Sequence, residues 1–157
     1  METLTPAWTC SHVKLHVTTT HQTEFIDLTD RLERLVADAG LRFGMVNLQT
    51  LHTTLAVVVN EHEPLLLNDF RRLLAGVAPA DGRYQHDDET VRTVNLVEEE
   101  RPNGHAHCRA LLLPASACLN VTEGRLQLGR WQRVFVVELD GPRERHVSIL
   151  LFGEVRP

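Results

Sequence analysis

The chain is poor in cysteine and in aromatic residues. Of its 157 residues only three are cysteine, and 5% are aromatic. The cysteines, Cys10, Cys108 and Cys118, are odd in number and form no Cys-x-x-Cys pair, which argues against a disulfide framework and a thiolate zinc knuckle. The sequence therefore favours a reducing compartment, and we expect a cytoplasmic location.

Long apolar runs and an excess of basic charge are also missing. No stretch of about 18 apolar residues is present, and residues 1–6 have neither a basic nor an apolar leader segment. Sixteen basic residues against 21 acidic ones give a formal net charge of -5, which disfavours binding to nucleic acid or to an anionic membrane surface. We expect neither partner.

What is present has the composition of an ordinary globular domain. Hydrophobic residues make up 43% of the chain and charged residues 24%. A chain of about 150 residues buries roughly 68–70% of its unfolded surface around one core. We therefore expect residues 1–157 to form a single domain.

Two amphipathic helices are predicted in the first half of the chain. Apolar residues recur at three- and four-residue spacing from about Thr23 to a Gly40 cap, and again after Pro64 as far as Val77. Alternation of apolar and polar residues predicts a strand over 13–17, whose histidines face water. A long β-branched segment predicts one strand over 45–59, bent near Thr53-Thr54.

The second half of the chain predicts loops and then strands. Residues 79–105 have the composition of exposed loops. Strands are predicted over 107–113, 117–121, 125–127, 133–139 and 146–152, with Asp140-Gly141-Pro142 as a hairpin-like turn. Two helices followed by a run of strands predict an α+β fold with a twisted, mostly antiparallel sheet or sandwich.

The nine histidines are the compositional oddity. His52 lies beside an apolar run, so we expect its ring to be partly desolvated, the alternative being a neutral core histidine. His86 lies in an acidic segment that is typical of a solvated loop. His105 and His107 would share a face of a strand and offer two nitrogens to one ion, or else be two exposed loop histidines. Together, His52, His86 and His107 would leave a coordination position open for water or substrate.

Carboxylates and arginines supply further candidates. Glu61 and Asp69 would orient an imidazole, the alternative being that both are only solvated. Arg109 would share the face of His107 and hold a phosphate, the alternative being a surface ion pair. Gly-x-x-x-x-Gly-Lys, Gly-x-Gly-x-x-Gly and Gly-x-Ser-x-Gly motifs are absent from the sequence, which disfavours the usual nucleotide cradles and a nucleophile elbow.

The ordered set of motifs resembles the YjbQ-like family, often labelled secondary thiamine-phosphate synthase. The matching segments run over about residues 45–153 and are His52-Thr53-Thr54, Asn60-Glu61, Asp69, Tyr84-x-His86-Asp87, Asn103-Gly104-His105-Ala106-His107, Ser116, Gly124-Arg125-Leu126, Gly129-x-Trp131-Gln132 and Glu138-x-Asp140-Gly141-Pro142-Arg143.

The resemblance implies a YjbQ-like α+β domain that assembles as a homotrimer. It also implies a divalent metal ion, with zinc as the first candidate, in a pocket near the subunit interface. The ligands that carry over are His52, His86 and His107, with His105 as a neighbour.

The activity implied by the resemblance is that of a metal-dependent enzyme acting on small phosphorylated molecules. The family reaction joins hydroxymethylpyrimidine diphosphate to a thiazole phosphate and releases pyrophosphate. In this scheme Arg109, Arg125 and Ser116 bind substrate. Glu61 and Asp69 orient ligands or accept a proton, and are the expected catalytic residues.

Three positions depart from the family pattern: Thr90 and Pro114 stand where glycine is usual, and Arg130 replaces a threonine. These departures bear on substrate choice more than on metal binding, because Thr and Pro restrict the backbone of the loops. Two further functions stay open: a metal- or metabolite-binding trimer without turnover, and a metal-assisted hydrolase.

Overall fold

The structure is a computed structural model that describes residues 7–155. The strands are β1 (Ala7–Thr18), β2 (Glu24–Asp27), β3 (Leu41–Thr50), β4 (Leu55–Glu61), β5 (Ser116–Thr122), β6 (Arg125–Leu126), β7 (Gln132–Glu138) and β8 (Glu144–Val155). The helices are α1 (Thr29–Asp38), α2 (Pro64–Val77), α3 (Gly104–Leu111) and a one-turn 3-10 helix at Gln85–Asp87. The expectation that residues 1–6 carry no leader segment falls outside the described residues.

The strands form two antiparallel sheets. The larger sheet has the order β1-β8-β3-β5-β6 and the smaller has the order β2-β7-β4. Every paired strand is antiparallel to its neighbour, so the α+β fold class predicted from the sequence is confirmed.

The smaller sheet is covered on both faces. One face packs with the inner face of the larger sheet and with α1 around residues such as Leu32, Leu48 and Val136. Its other face packs against α2 and α3 through Phe135 and Val137. Because both faces are buried, Val134–Val137 is a continuous apolar run without alternation.

The outer face of the larger sheet carries exposed apolar side chains. These are Trp8, Met45, Leu150 and Phe152. The histidines of β1 also face outward, as the alternation predicts, whereas Leu15 and Val17 are buried.

Four predicted elements are wrong at their boundaries or in type. The first helix begins at Thr29, because residues 24–27 pair with β7 as β2. The strand predicted over 45–59 is two strands in different sheets, separated by residues 51–54. The segment predicted as a strand over 107–113 begins as helix α3. Asp140-Gly141-Pro142 is not a hairpin turn, because it carries the chain from β7 in one sheet to β8 in the other.

No helix within residues 7–155 is long and apolar enough to cross a membrane.

Candidate functional site

A polar pocket lies where α3 meets two of the segments that carry the chain from one sheet to the other, β3 to β4 and β7 to β8. Its volume is about 420 Å³, within the range of small-molecule sites. The crossings at residues 51–54 and 139–143 are joined by a hydrogen bond from the Leu139 N–H to the Thr54 carbonyl (3.2 Å). The lining residues are Leu51, His52, Thr53, Thr54, His86, Arg92, Asn95, Glu100, Asn103, His107, Arg143 and Arg145.

His86 and His107 form an imidazole pair in this pocket. Their ring centroids are 4.5 Å apart, with the rings at 63° to each other. The Nε2 atom of His86 is buried and has no hydrogen-bond partner within residues 7–155. Burial, together with the nearby His86 ring, lowers the pKa of His107, so His107 is held in the neutral form that a ligand or an acceptor needs.

Asp87 joins the two elements that carry these histidines. Its Oδ1 atom accepts the backbone N–H groups of Asn103 (2.9 Å) and Gly104 (2.8 Å), at the N-terminus of α3. The carboxylate satisfies N–H groups that have no partner inside the helix. Gly104 allows the close approach, since a Cβ there would lie 2.4 Å from the Cβ atom of Tyr84. The Tyr-x-His-Asp and Asn-Gly-His-Ala-His motifs are thus one structural unit.

His52 lies on the crossing from β3 to β4. Its Nε2 atom accepts the backbone N–H of His146 at 2.8 Å, and its ring stacks on that of His146 at 5.8 Å. Burial and the positive charge of Arg145 lower the pKa of His52. A neutral imidazole whose Nε2 accepts a hydrogen bond carries its proton on Nδ1. In this orientation His52 therefore offers the pocket an N–H donor and no free lone pair.

Two arginines follow the crossing from β7 to β8. Arg145 is 2% exposed and binds Glu138 through Nε (2.7 Å) and Nη2 (2.5 Å). Arg143 pairs with Asp140 at 2.6 Å and its side chain is 37% exposed. Both arginines line the pocket and give it a cationic wall.

A third arginine, Arg92, organises the loop that forms another wall. It donates to the Glu100 carboxylate (2.6 Å) and to the carbonyl groups of His86, Val94 and Asn95. The hydrogen bond from Arg92 lowers the pKa of Glu100. One side chain thus closes the loop that the sequence predicts after the second helix.

The imidazoles of the pocket are the candidate metal ligands. Within residues 7–155, no group of three or more His, Cys, Asp or Glu side chains is arranged to hold a metal ion. His86 and His107 fit two positions of a coordination sphere, because their rings adjoin and one buried nitrogen lacks a partner. His52 would complete a set of three only by giving up its bond from the His146 N–H.

The structure brings His52, His86 and His107 to one pocket, whereas His105 points elsewhere. Residues two apart on a helix are turned by about 200°, so His105 and His107 do not share a face of α3. The Nε2 atom of His105 lies 2.6 Å from the Gln22 amide nitrogen, and His105 is buried.

Arg109 is also turned away from the pocket, because the segment is a helix and not the predicted strand. It is 3% exposed, and its guanidinium donates to the Ala78 carbonyl and to the Thr23 hydroxyl, both at 2.9 Å. In the single chain it holds α3 to the end of α2.

The other predicted site residues lie outside the pocket lining. Glu61 borders a separate surface depression with Arg130 and Trp131. Asp69 is exposed on α2 and pairs with Arg72. Arg125, its side chain 80% exposed, lies 4.0 Å from Glu33, and Ser116 is exposed at the start of β5. One chain alone does not bring these residues to His107.

The three departures from the family pattern lie away from the pocket as well. Thr90 donates its hydroxyl to Asp88 within the loop, and the Pro114 carbonyl accepts the Val57 N–H. Arg130 stacks over Trp131 at 4.6 Å. None of the three lines the pocket of the described chain.

The buried Glu138–Arg145 pair is the part of the site that sequence reasoning missed. Glu138 follows Val134 and Val136 at inward positions of β7, and Arg145 precedes Val147 and its inward neighbours on β8. Charges of opposite sign at inward positions on either side of one turn were the available signal, because buried charges require partners.

The sequence is similar to a known protein family over most of its length. A family model described as UPF0047 protein YjbQ-like matches residues 13–154. A UPF0047 protein from Methanothermobacter thermautotrophicus is 34% identical over 90% of this chain and 91% of its own length. Another from Archaeoglobus fulgidus is 37% identical over 87% of this chain and 98% of its own.

Solved structures show the same fold. A YbjQ-like protein of unknown function from Sulfolobus solfataricus P2 superposes with a TM-score of 0.82 at 34% identity, covering 94% of this chain and 100% of that one. A protein of the yjbq/upf0047 family from Clostridium acetobutylicum gives 0.77 at 30% identity, over 88% of this chain and 98% of that one.

Proposed function

The chain belongs to the YjbQ-like UPF0047 family, and we propose that it binds a small phosphorylated metabolite together with a divalent metal ion. The pocket of His86 and His107 is the proposed site, and zinc is the first candidate ion. The resemblance to secondary thiamine-phosphate synthase adds a reaction class, the transfer of an organic group with release of diphosphate.

The observation that carries this proposal is the convergence of an imidazole pair and three arginines on one pocket. His86 has a buried nitrogen that no group within residues 7–155 hydrogen-bonds, beside the neutral His107 ring. Arg92, Arg143 and Arg145 line the same space. Imidazoles suit a transition metal, and guanidinium groups suit phosphate.

Each side chain has a part to play in such a transfer. A divalent ion on the imidazole pair would neutralise charge on phosphate oxygens. Arg143, with its partly exposed guanidinium, would stabilise the negative charge that develops on a departing diphosphate. His52, held by the His146 N–H, would present its Nδ1–H as a donor. The Asp87 contacts with the α3 N-terminus would hold the His86 and His107 rings next to each other.

The proposal keeps the other predicted site residues, although they lie outside the pocket lining of one chain. These are the catalytic candidates Glu61 and Asp69 and the substrate-binding candidates Arg109, Arg125 and Ser116. A neighbouring chain of the proposed homotrimer would have to supply the exposed residues among them. Buried Arg109 would act only by supporting α3.

Binding without turnover is the second candidate function, and a specific observation favours it. Glu100, the carboxylate among the lining residues, is bound by Arg92, and the carboxylates behind the arginine wall are bound as well, Glu138 by Arg145 and Asp140 by Arg143. A carboxylate held as the anion by an arginine is a weak proton acceptor.

Metal content of tag-free protein tests the proposal. We expect about one ion per chain in the wild type and a loss of at least tenfold in His86→Ala and His107→Ala, because each removes one of few ligands. His12→Ala, an exposed histidine outside the pocket, serves as the matched control and should retain the metal.

Two results would contradict the metal part of the proposal: wild-type protein that takes up no zinc, manganese or nickel, or full occupancy in His107→Ala. A panel of phosphate esters and diphosphates then separates the functions. Metal-dependent transfer supports the enzyme, binding without turnover supports the second candidate, and release of a phosphoryl group to water indicates a hydrolase.

A further inference from the structure

We propose that Arg145 and Arg143 form an anion subsite that receives the phosphoryl group of the ligand. The position of the subsite is argued from geometry alone, and only the identity of its ligand rests on the proposed function. The subsite adds two arginines to the substrate-binding residues Arg109 and Arg125 that the resemblance implies.

Arg145 is held rigidly with one edge of its guanidinium engaged. Its Nε and Nη2 atoms both donate to Glu138, and Nη2 also donates to the Thr54 hydroxyl at 2.9 Å. Within residues 7–155 these are the hydrogen bonds of the guanidinium, and none involves Nη1. The edge that faces away from Glu138 therefore keeps its N–H donors.

This free edge faces the pocket. Arg145 is 2% exposed and lines the pocket. Its Nε and Nη2 atoms are bound to Glu138 and Thr54, so Nη1 is the part of the guanidinium that is left to face the pocket.

Arg143 provides a second donor group on the same wall. Its Nη2 atom contacts Asp140, and its other guanidinium N–H groups have no acceptor among the described residues. Its backbone is fixed, because its N–H donates to the Thr19 hydroxyl (2.9 Å) and its carbonyl accepts the Thr19 N–H (3.1 Å). The half-exposed side chain can therefore meet a ligand without moving the strand.

The paired carboxylates explain how the subsite persists without a ligand. Glu138 compensates the buried charge of Arg145, which would otherwise be strongly destabilising. In the second pair the carboxylate is the buried partner, and the ion pair with Asp140 holds the partly exposed Arg143 on the pocket wall. Each guanidinium still has N–H groups directed away from its carboxylate. Planar N–H forks of this kind match the oxygens of a phosphoryl group.

Binding of inorganic phosphate and inorganic pyrophosphate to metal-depleted protein tests the subsite, with acetate as a carboxylate probe. We expect Arg143→Gln and Arg145→Lys each to weaken phosphate affinity by about tenfold. Glutamine removes the positive charge, and lysine keeps the charge but loses the planar pair of N–H donors. Arg42→Gln should leave the affinity unchanged. Arg42 is a matched control, since it is half-exposed and paired with Glu154. It lies nine positions before Leu51 of the pocket along β3, a distance of about 30 Å in an extended strand.

Wild-type affinity in both variants, or binding of phosphate no tighter than acetate, would overturn the subsite. Arg143→Gln decides alone if Arg145→Lys does not fold, because its side chain is partly exposed. Weakened phosphate binding supports the subsite even where the protein takes up no metal and the proposed function fails. Metal-dependent turnover with an unchanged KM in Arg143→Gln and Arg145→Lys would overturn the subsite and leave the proposed function intact.

Discussion

The Glu138 carboxylate is the electrostatic centre of the pocket wall. Besides Arg145 it accepts the backbone N–H groups of Asp140 (2.9 Å) and Gly141 (3.0 Å) and the Thr19 hydroxyl (2.9 Å). Burial by itself raises the pKa of Glu138, but the hydrogen bonds from Arg145 and the two backbone groups outweigh it, and the pKa lies below its usual value.

Replacement of this carboxylate should destabilise the fold in a pH-dependent way. We expect Glu138→Gln to lower the free energy of unfolding by about 3 kcal/mol at pH 7, because it leaves the Arg145 charge buried without its partner. A pKa lower in the folded state than in the unfolded state stabilises the fold above about pH 4.5. That stabilisation is lost as the pH falls towards the folded-state pKa. The difference in the free energy of unfolding between wild type and Glu138→Gln should therefore become smaller on acidification.

Urea unfolding at pH 7, 5 and 3.5 measures this gap. Glu154→Gln is the control, since Glu154 forms a partly exposed ion pair with Arg42 at 3.7 Å, and we expect it to cost less than about 1 kcal/mol. A gap that stays constant or widens as the pH falls would contradict the role given to Glu138.

At the residue scale, the sequence identifies the candidate ligand side chains better than it identifies the charged residues that pair around the pocket. His52, His86 and His107 are each predicted from motifs, and all three line the pocket. Arg143 and Glu138 stand in a matching motif, yet the sequence alone assigns them no role, because the two sides of a crossing between sheets approach only in the folded chain. The ligand roles of the histidines stay predictions.

At the scale of elements, the pairing of the 3-10 helix with α3 determines the site. One carboxylate oxygen of Asp87 binds two successive N–H groups of the α3 N-terminus. The favourable end of the helix dipole adds to this contact. Asp87 directly follows His86, and the two N–H groups that it binds lie about one helical turn before His107, so this contact brings the two rings together.

Removal of the Asp87 carboxylate should separate the imidazole pair. We expect Asp87→Ala to cost about 1–2 kcal/mol of stability, as loss of a helix cap does, and to weaken metal and phosphate binding by more than its effect on folding explains. Asp88→Ala is the matched control, because within residues 7–155 the Asp88 carboxylate accepts only from Thr90 in the exposed loop.

Urea unfolding and ligand titration on the same samples make this comparison. Full ligand affinity in Asp87→Ala would show that the pair does not depend on this contact.

The α3 segment also shows why some elements escape prediction. Residues 107–113 alternate well enough to suggest a strand, but the N-terminus of the helix is specified by Asp87, about twenty residues earlier in the chain. The short strand β2 is similar, since Phe25 and Ile26 fit a helical pattern until β7 pairs with them. Tertiary partners overrode local periodicity in both cases.

For the whole molecule, the two-sheet architecture explains why the pocket is where it is. Two of the segments that carry the chain from one sheet to the other, residues 51–54 and 139–143, line the pocket with α3 beside them. The antiparallel α+β class follows from the order of helices and strands in the sequence, whereas the division into two sheets depends on long-range pairing. The homotrimer stays a prediction, and the apolar outer face of the larger sheet is suited to burial in an assembly.

Anomalous diffraction from crystals of the tag-free protein grown with zinc and inorganic phosphate locates both ligands in one experiment. We predict one zinc peak per chain between the His86 and His107 rings, with phosphate against Arg143 and Arg145 on the same pocket wall. An empty pocket in crystals that hold zinc at another place, such as the His16–His146 pair, would contradict the proposed site.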